Sequence, residues 1–142
     1  MGVIQFPAWK VWVYAEEDAR ESFLRRWINE ESISRQILAQ FQLYVDLLEG
    51  NGPEMVRATN GISLLDKKED LHMFNLKVKG QPPVNPIFCY GPYGDREITI
   101  LAGAPVTIQG GILQAKHMIP IASENRKALL QFRGRRRRER IA

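Results

Sequence analysis

Apolar residues change their spacing along the chain, and each change marks an element. Trp9 to Tyr14 is a short run rich in valine and tryptophan, which suits a strand. Glu16, Glu17 and Asp18 supply the acidic first turn that a helix N-terminus favours. Phe23, Leu24, Trp27 and Ile28 then recur at helical spacing. Asn29 to Ser34 predicts a break, because Asn and Ser favour caps over helix interiors. Ile33, Ile37, Leu38, Phe41, Tyr44, Val45 and Leu48 make the stripe of a second helix, which Gly50-Asn51-Gly52-Pro53 ends. From Leu71 to Lys79 the period becomes two. His72, Phe74, Leu76 and Val78 take one face, and Leu71, Met73, Asn75, Lys77 and Lys79 the other.

Gly80-Gln81-Pro82-Pro83 turns the chain into a strand at Ile87 to Tyr90, and Gly91-Pro92-Tyr93-Gly94-Asp95 turns it into another at Arg96 to Ala102. Short loops make these strands antiparallel neighbours. Pro105 to Ile119 carries no readable pattern, and Ser123 can cap a last helix over Glu124 to Phe132. The expected fold class is α+β: N-terminal strand, helix pair, antiparallel β-meander packed on the helices, C-terminal helix and basic tail. The helix pair should cover one sheet face and leave the other open. Trp12, Phe23, Trp27, Ile37, Phe41, Tyr44, Leu48, Phe74, Leu76, Phe88 and Ile98 form the expected core.

Composition bounds the class. The 142 residues are 44% hydrophobic and 25% charged, ordinary for one globular domain. No run approaches the ~18 consecutive apolar residues of a membrane span. Met1 to Lys10 lacks the order of a secretory signal. The single cysteine, Cys89, lies within an apolar run and reads as a buried thiol in a reducing cytoplasm. No membrane partner and no small-molecule cofactor is expected. There is no Gly-rich phosphate loop and no GxSxG elbow, and two distant histidines with one cysteine give no usual zinc spacing, so no metal ligands are assigned.

The net charge of +4 conceals a division. Residues 133–142 carry six arginines, Arg133, Arg135, Arg136, Arg137, Arg138 and Arg140, against one glutamate; residues 1–132 carry 14 basic and 15 acidic residues. The reading is a single domain over 1–132 followed by an arginine-rich C-terminal tail over 133–142. Its planar guanidinium forks suit phosphate contacts, and RNA is the polyanion expected. Nothing apolar follows Gly134 except Ile141, so removal of the tail should leave a folded body.

Three segments together resemble a known family: Leu71-His72-Met73-Phe74-Asn75-Leu76-Lys77-Val78-Lys79-Gly80, Ile87-Phe88-Cys89-Tyr90, and Glu97-Ile98-Thr99-Ile100-Leu101-Ala102-Gly103-Ala104. With the preceding helix pair, they are similar to RelE/ParE-type toxins of toxin–antitoxin systems, in the HigB-like, phage-derived branch. The resemblance implies an mRNA endoribonuclease that acts at the ribosome and is silenced by a small antitoxin protein; with no ligand cluster in the sequence, it is expected to work without a metal. The resemblance also implies that basic side chains on the sheet activate the ribose 2′-hydroxyl and stabilise the phosphorane. Lys77 and Lys79 fall where such residues belong. The chain departs from the family at Asn75, at Asn85-Pro86 and at Ala102-Gly103, where basic residues are expected. That leaves either weakened chemistry or chemistry moved to the tail arginines and His117, an imidazole beside Lys116. His72, among apolar residues, reads as a packed or surface histidine. Two other readings stand beside the toxin: a catalytically silent nucleic-acid-binding module on the same fold, and a protein-interaction adaptor from a phage or mobile element.

Overall fold

A computed structural model describes residues 8–106 and 111–142. Most of Met1 to Lys10, and residues 107–110 of the Pro105–Ile119 stretch, lie outside the described residues. The chain is α+β. The described elements run β1 (Lys10–Tyr14), α1 (Phe23–Glu30), α2 (Arg35–Asn51), α3 (Pro53–Ala58), β2 (Ile62–Asp66), β3 (Leu71–Phe74), β4 (Ile87–Tyr90), β5 (Glu97–Ala102), α4 (Ile112–His117), α5 (Ile119–Gln131) and β6 (Arg136–Arg137). The strands form one mixed sheet in the order β2-β3-β4-β5-β1-β6. β2 to β5 are an antiparallel meander. β1 inserts parallel to β5, with Lys10 opposite Glu97 and Val13 opposite Ile100. β6 closes antiparallel on the other side of β1.

The break between α1 and α2 falls where Asn and Ser predict it. Ser34 caps α2, its Oγ accepting from the Ile37 N–H at 3.2 Å. α1 starts later than its acidic stretch suggests, because Ser22 Oγ accepts from the Arg25 N–H at 3.1 Å and Asp18 sits in the left-handed region at φ 64°. Pro53 does more than end α2. Its fixed φ suits the first position of a helix, and it opens α3. β3 stops at Phe74, short of the expected Lys79; beyond it only Leu76 pairs, with Val84. Ser123 does not cap a helix, since α5 already begins at Ile119 and the Ser123 hydroxyl donates to Glu69 at 2.8 Å.

The expected core forms against α1, α2 and α3. Ile37, Phe41, Leu48, Phe74, Leu76, Phe88 and Ile98 are buried there with Val11, Val13 and Ile100, while Phe23 and Tyr44 pack at its margin. Phe41, Phe74 and Phe88 pack through it as tilted pairs at centroid distances of 5.0 and 4.9 Å. Trp12 does not join them. Alternation along β1 sends Val11 and Val13 to this face and Trp12 with Tyr14 to the other. That other face is not open, contrary to expectation. Leu71, Met73, Ile87, Cys89 and Leu101 are buried beneath Ala115, Ala122 and Leu129 of α4 and α5, so the sheet lies between two helical layers. The few small apolar residues of α5 made its inner face hard to read as a stripe.

Residues 133–142 are a correction of the domain boundary as well. They fold back on the body: β6 extends the sheet, Ile141 is fully buried in the core beside α2, and its N–H donates to Gln42 Oε1 at 2.8 Å. Replacing Phe41 by alanine removes a wholly buried ring from the centre of the first core and should cost about 3–5 kcal/mol, read from urea unfolding.

Candidate nucleic-acid interface

The six C-terminal arginines do different things in the fold. Arg136 is buried. Its guanidinium binds the carboxylate of Glu97, itself buried on β5, and lies over the Trp12 indole at 3.9 Å from the ring centre, with Tyr93 at 5.0 Å. Gly94 makes room for that carboxylate, since a Cβ there would stand 2.7 Å from Glu97 Oε1. Arg137 donates to the carbonyls of Ala19 at 2.6 Å and Arg20 at 3.2 Å. Arg135 donates to the Ala128 carbonyl at 2.9 Å. Arg135, Arg136 and Arg137 are therefore structural groups. Arg133, Arg138 and Arg140 remain exposed, Arg138 beside Glu49 at 3.2 Å.

Lys77, Lys79 and His117 do not form a site. Both lysines are exposed and lie past the end of β3, so no shared strand face aligns them. Gln40 holds the Lys77 backbone on both sides, accepting from its N–H at 2.7 Å and donating to its carbonyl at 3.2 Å. His117 ends α4 in a shallow depression with Leu113 and Lys116, which neither Lys77 nor Lys79 lines. Asn75 and Asn85, which stand where arginines were expected, are tied into the sheet. Asn85 Nδ2 donates to the Phe74 carbonyl at 3.0 Å and Asn75 Nδ2 to the Asn60 carbonyl at 3.0 Å.

A different group gathers at one end of the sheet. Antiparallel pairing puts the starts of β3 and β5 beside the end of β4, and parallel pairing puts the start of β1 beside the start of β5. His72 consequently lies 4.7 Å edge-on from Tyr90 and stacks on Phe88 at 5.5 Å, with its Nε2 3.0 Å from Asp70 Oδ1. The Tyr90 hydroxyl is 2.5 Å from Arg57 Nη2, and Glu54 holds the other side of that guanidinium at 2.6 Å. Trp9 stands edge-on to Tyr90 at 6.1 Å, and its backbone N–H donates to the Glu49 carbonyl; Glu49 also pairs with Arg138. Lys10 and Arg96 add two exposed cations there, joined by a backbone hydrogen bond. Burial raises Tyr90 above the usual phenol value, with Arg57 acting in the opposite direction, so its hydroxyl keeps its proton.

Arg57 escaped sequence reading because α3 was hidden behind a helix-ending signal. Tyr90 and His72 share a face by alternation, which was the one available clue. Among the described residues, no three His, Cys, Asp or Glu side chains gather as metal ligands. No described helix is long and apolar enough to cross a membrane. Comparisons with protein-family models, with curated proteins and with solved structures find no match.

Arg136→Ala strands the buried Glu97 carboxylate and should cost about 3–5 kcal/mol in chemical unfolding; truncation after Phe132, which also removes Ile141, should abolish the cooperative transition. Cys89 is pushed up to about 11 by burial, against the pull of Arg126, and should resist Ellman's reagent at pH 8 until the protein is unfolded. Because the folded value is raised from 9.0, its contribution to stability is complete below that pH and should decline as pH climbs towards about 11.

Proposed function

We propose that the protein is a RelE-like toxin that binds RNA at the basic, aromatic end of its sheet and cleaves it there without a metal. The observation that carries this reading is the cluster of Arg57 with His72 and Tyr90, with Trp9 beside it and the exposed cations Lys10, Arg96 and Arg138 at the same end of the sheet. Cations that track a backbone, interleaved with rings on which unpaired bases stack, are what single-stranded RNA requires. The order of elements supports the family likeness: a strand, a helix pair and an antiparallel meander in one sheet, with the helix pair on one face.

The chemistry follows from the three central side chains. Asp70 engages His72 Nε2, which leaves Nδ1 to take the proton of the ribose 2′-hydroxyl. The resulting oxygen attacks the adjacent phosphorus, and Arg57 neutralises the charge that grows on the phosphorane. Tyr90 returns a proton to the departing 5′ oxygen, leaving a 2′,3′-cyclic phosphate. A small antitoxin protein covering this end would silence the site, and a cytoplasmic mRNA is the target.

The test is direct. Lys10→Ala, Arg96→Ala and Arg138→Ala combined should reduce the salt slope of single-stranded RNA binding by roughly 2, at about 0.7 per phosphate contact. Tyr90→Phe keeps the ring and should keep binding while lowering cleavage by about 10²–10⁴-fold, with matching relief of growth arrest on induction; His72→Ala, which removes a ring as well as the base, should lower both. Binding with no cleavage by the intact protein would leave the silent module, and no RNA binding would leave the adaptor.

A further inference from the structure

The opposite end of the sheet carries a second feature. β1 and β5 are parallel neighbours, so their chains leave the sheet in the same direction, where a crevice opens beyond the carboxyl ends of the strands. A cleft of about 270 Å³ lies there between α1 and α5. Tyr14, Phe23 and Trp27 give it aromatic walls; Tyr14 and Trp27 are buried, so Phe23 is the ring with surface left for a ligand. These walls are preformed. The Trp27 indole N–H donates to the Ala104 carbonyl at 2.8 Å, and only a glycine at 103 lets the backbone pass, because a Cβ would overlap the indole. The size is at the lower end for ligand pockets, enough for one heterocycle and too small for a dinucleotide.

The polar groups at the cleft select among heterocycles. Glu16, Glu30 and Arg26 line it and are exposed; among the described residues none of the three side chains is engaged in an ion pair. Two carboxylates against one guanidinium leave a negative balance that disfavours a phosphate inside. They favour a neutral ligand with paired donors on one edge and paired acceptors on another. Guanine has that pattern. Its N1–H and N2–H₂ donors fit a carboxylate, and its O6 and N7 acceptors fit an arginine fork. Adenine and cytosine each present a single amino group, and uracil presents a single ring N–H. Asn125 also lines the cleft; its Nδ2 is spent on the Leu101 carbonyl at 2.9 Å, so its oxygen is the end left to accept.

We propose that this cleft is a binding site for a guanine base, stacked on the aromatic walls and read by a glutamate and Arg26. The site is distinct from the RNA-binding end and does not depend on the function assigned there. The base can come from a free nucleoside or from an unpaired position in RNA, and the experiment separates the two.

The full chain is titrated with guanosine and with adenosine, following tryptophan fluorescence, and guanosine is then competed with U-rich octamers holding one central G or A. Guanosine should bind about tenfold more tightly than adenosine, the discrimination of one bidentate contact. Competition by the G octamer identifies RNA as the source; guanosine binding without such competition identifies the free nucleoside. Glu16→Gln combined with Glu30→Gln changes only exposed side chains, should leave thermal unfolding unchanged and should erase the preference. Phe23→Ala should weaken both nucleosides together. Equal affinities for guanosine and adenosine, no saturable binding of either, or a preference that survives the double glutamine variant would overturn the proposal.

Discussion

A carboxylate placed inside a sheet must find a cation or lose its charge. Glu97 occupies such a position at the start of β5, and the cation comes from Arg136, 39 positions away in the chain. Trp12 from β1 and Tyr93 from the turn before β5 enclose the guanidinium. One contact therefore joins the first strand, the meander and the C-terminal segment. With Arg136 seated, β6 is held along β1, β1 becomes an interior strand, and Ile141 is delivered to the core. Both ends of the sheet inherit their geometry from this arrangement, because each is built partly from β1.

The helix pair and its stripe were legible because Ile37, Phe41, Val45 and Leu48 repeat at the period of a helix buried on one side. β3, β4 and β5 were legible from alternation and turn residues. What stayed hidden depended on partners distant in sequence. The arginine run has the composition of a solvated end, and no local pattern announces that one of its members meets Glu97. The second helical layer was missed because α5 buries only Ala122 and Leu129, too few apolar positions to signal a covered face. Lys77 and Lys79 fit a strand that continues by composition, but β3 pairs only as far as Phe74.

The two ends of the sheet differ in a way that follows from strand direction. At the end with Trp9 and Tyr90, the antiparallel β3–β4 and β4–β5 pairs and the start of β1 bring loop-adjacent side chains into contact, giving a surface of linked hydrogen bonds and edge-on rings. At the other end, the parallel pair opens a recess. A mixed sheet thus offers a shallow polar platform and a small aromatic pocket on one scaffold, without either requiring an added domain.

The parallel pairing also governs the route by which the chain can fold. α1, α2 and the β2–β5 meander are assembled from contacts close in sequence and can form early. β1 cannot, because Lys10 pairs with Glu97 and Val13 with Arg137, so its loop-closure entropy falls due only when the rest is present. Until then Val11, Trp12 and Val13 form an unpaired apolar strand, the kind that joins strands of other chains. By this topology the docking of β1 is the expected slow step, and β1 is the strand exposed to aggregation until it docks.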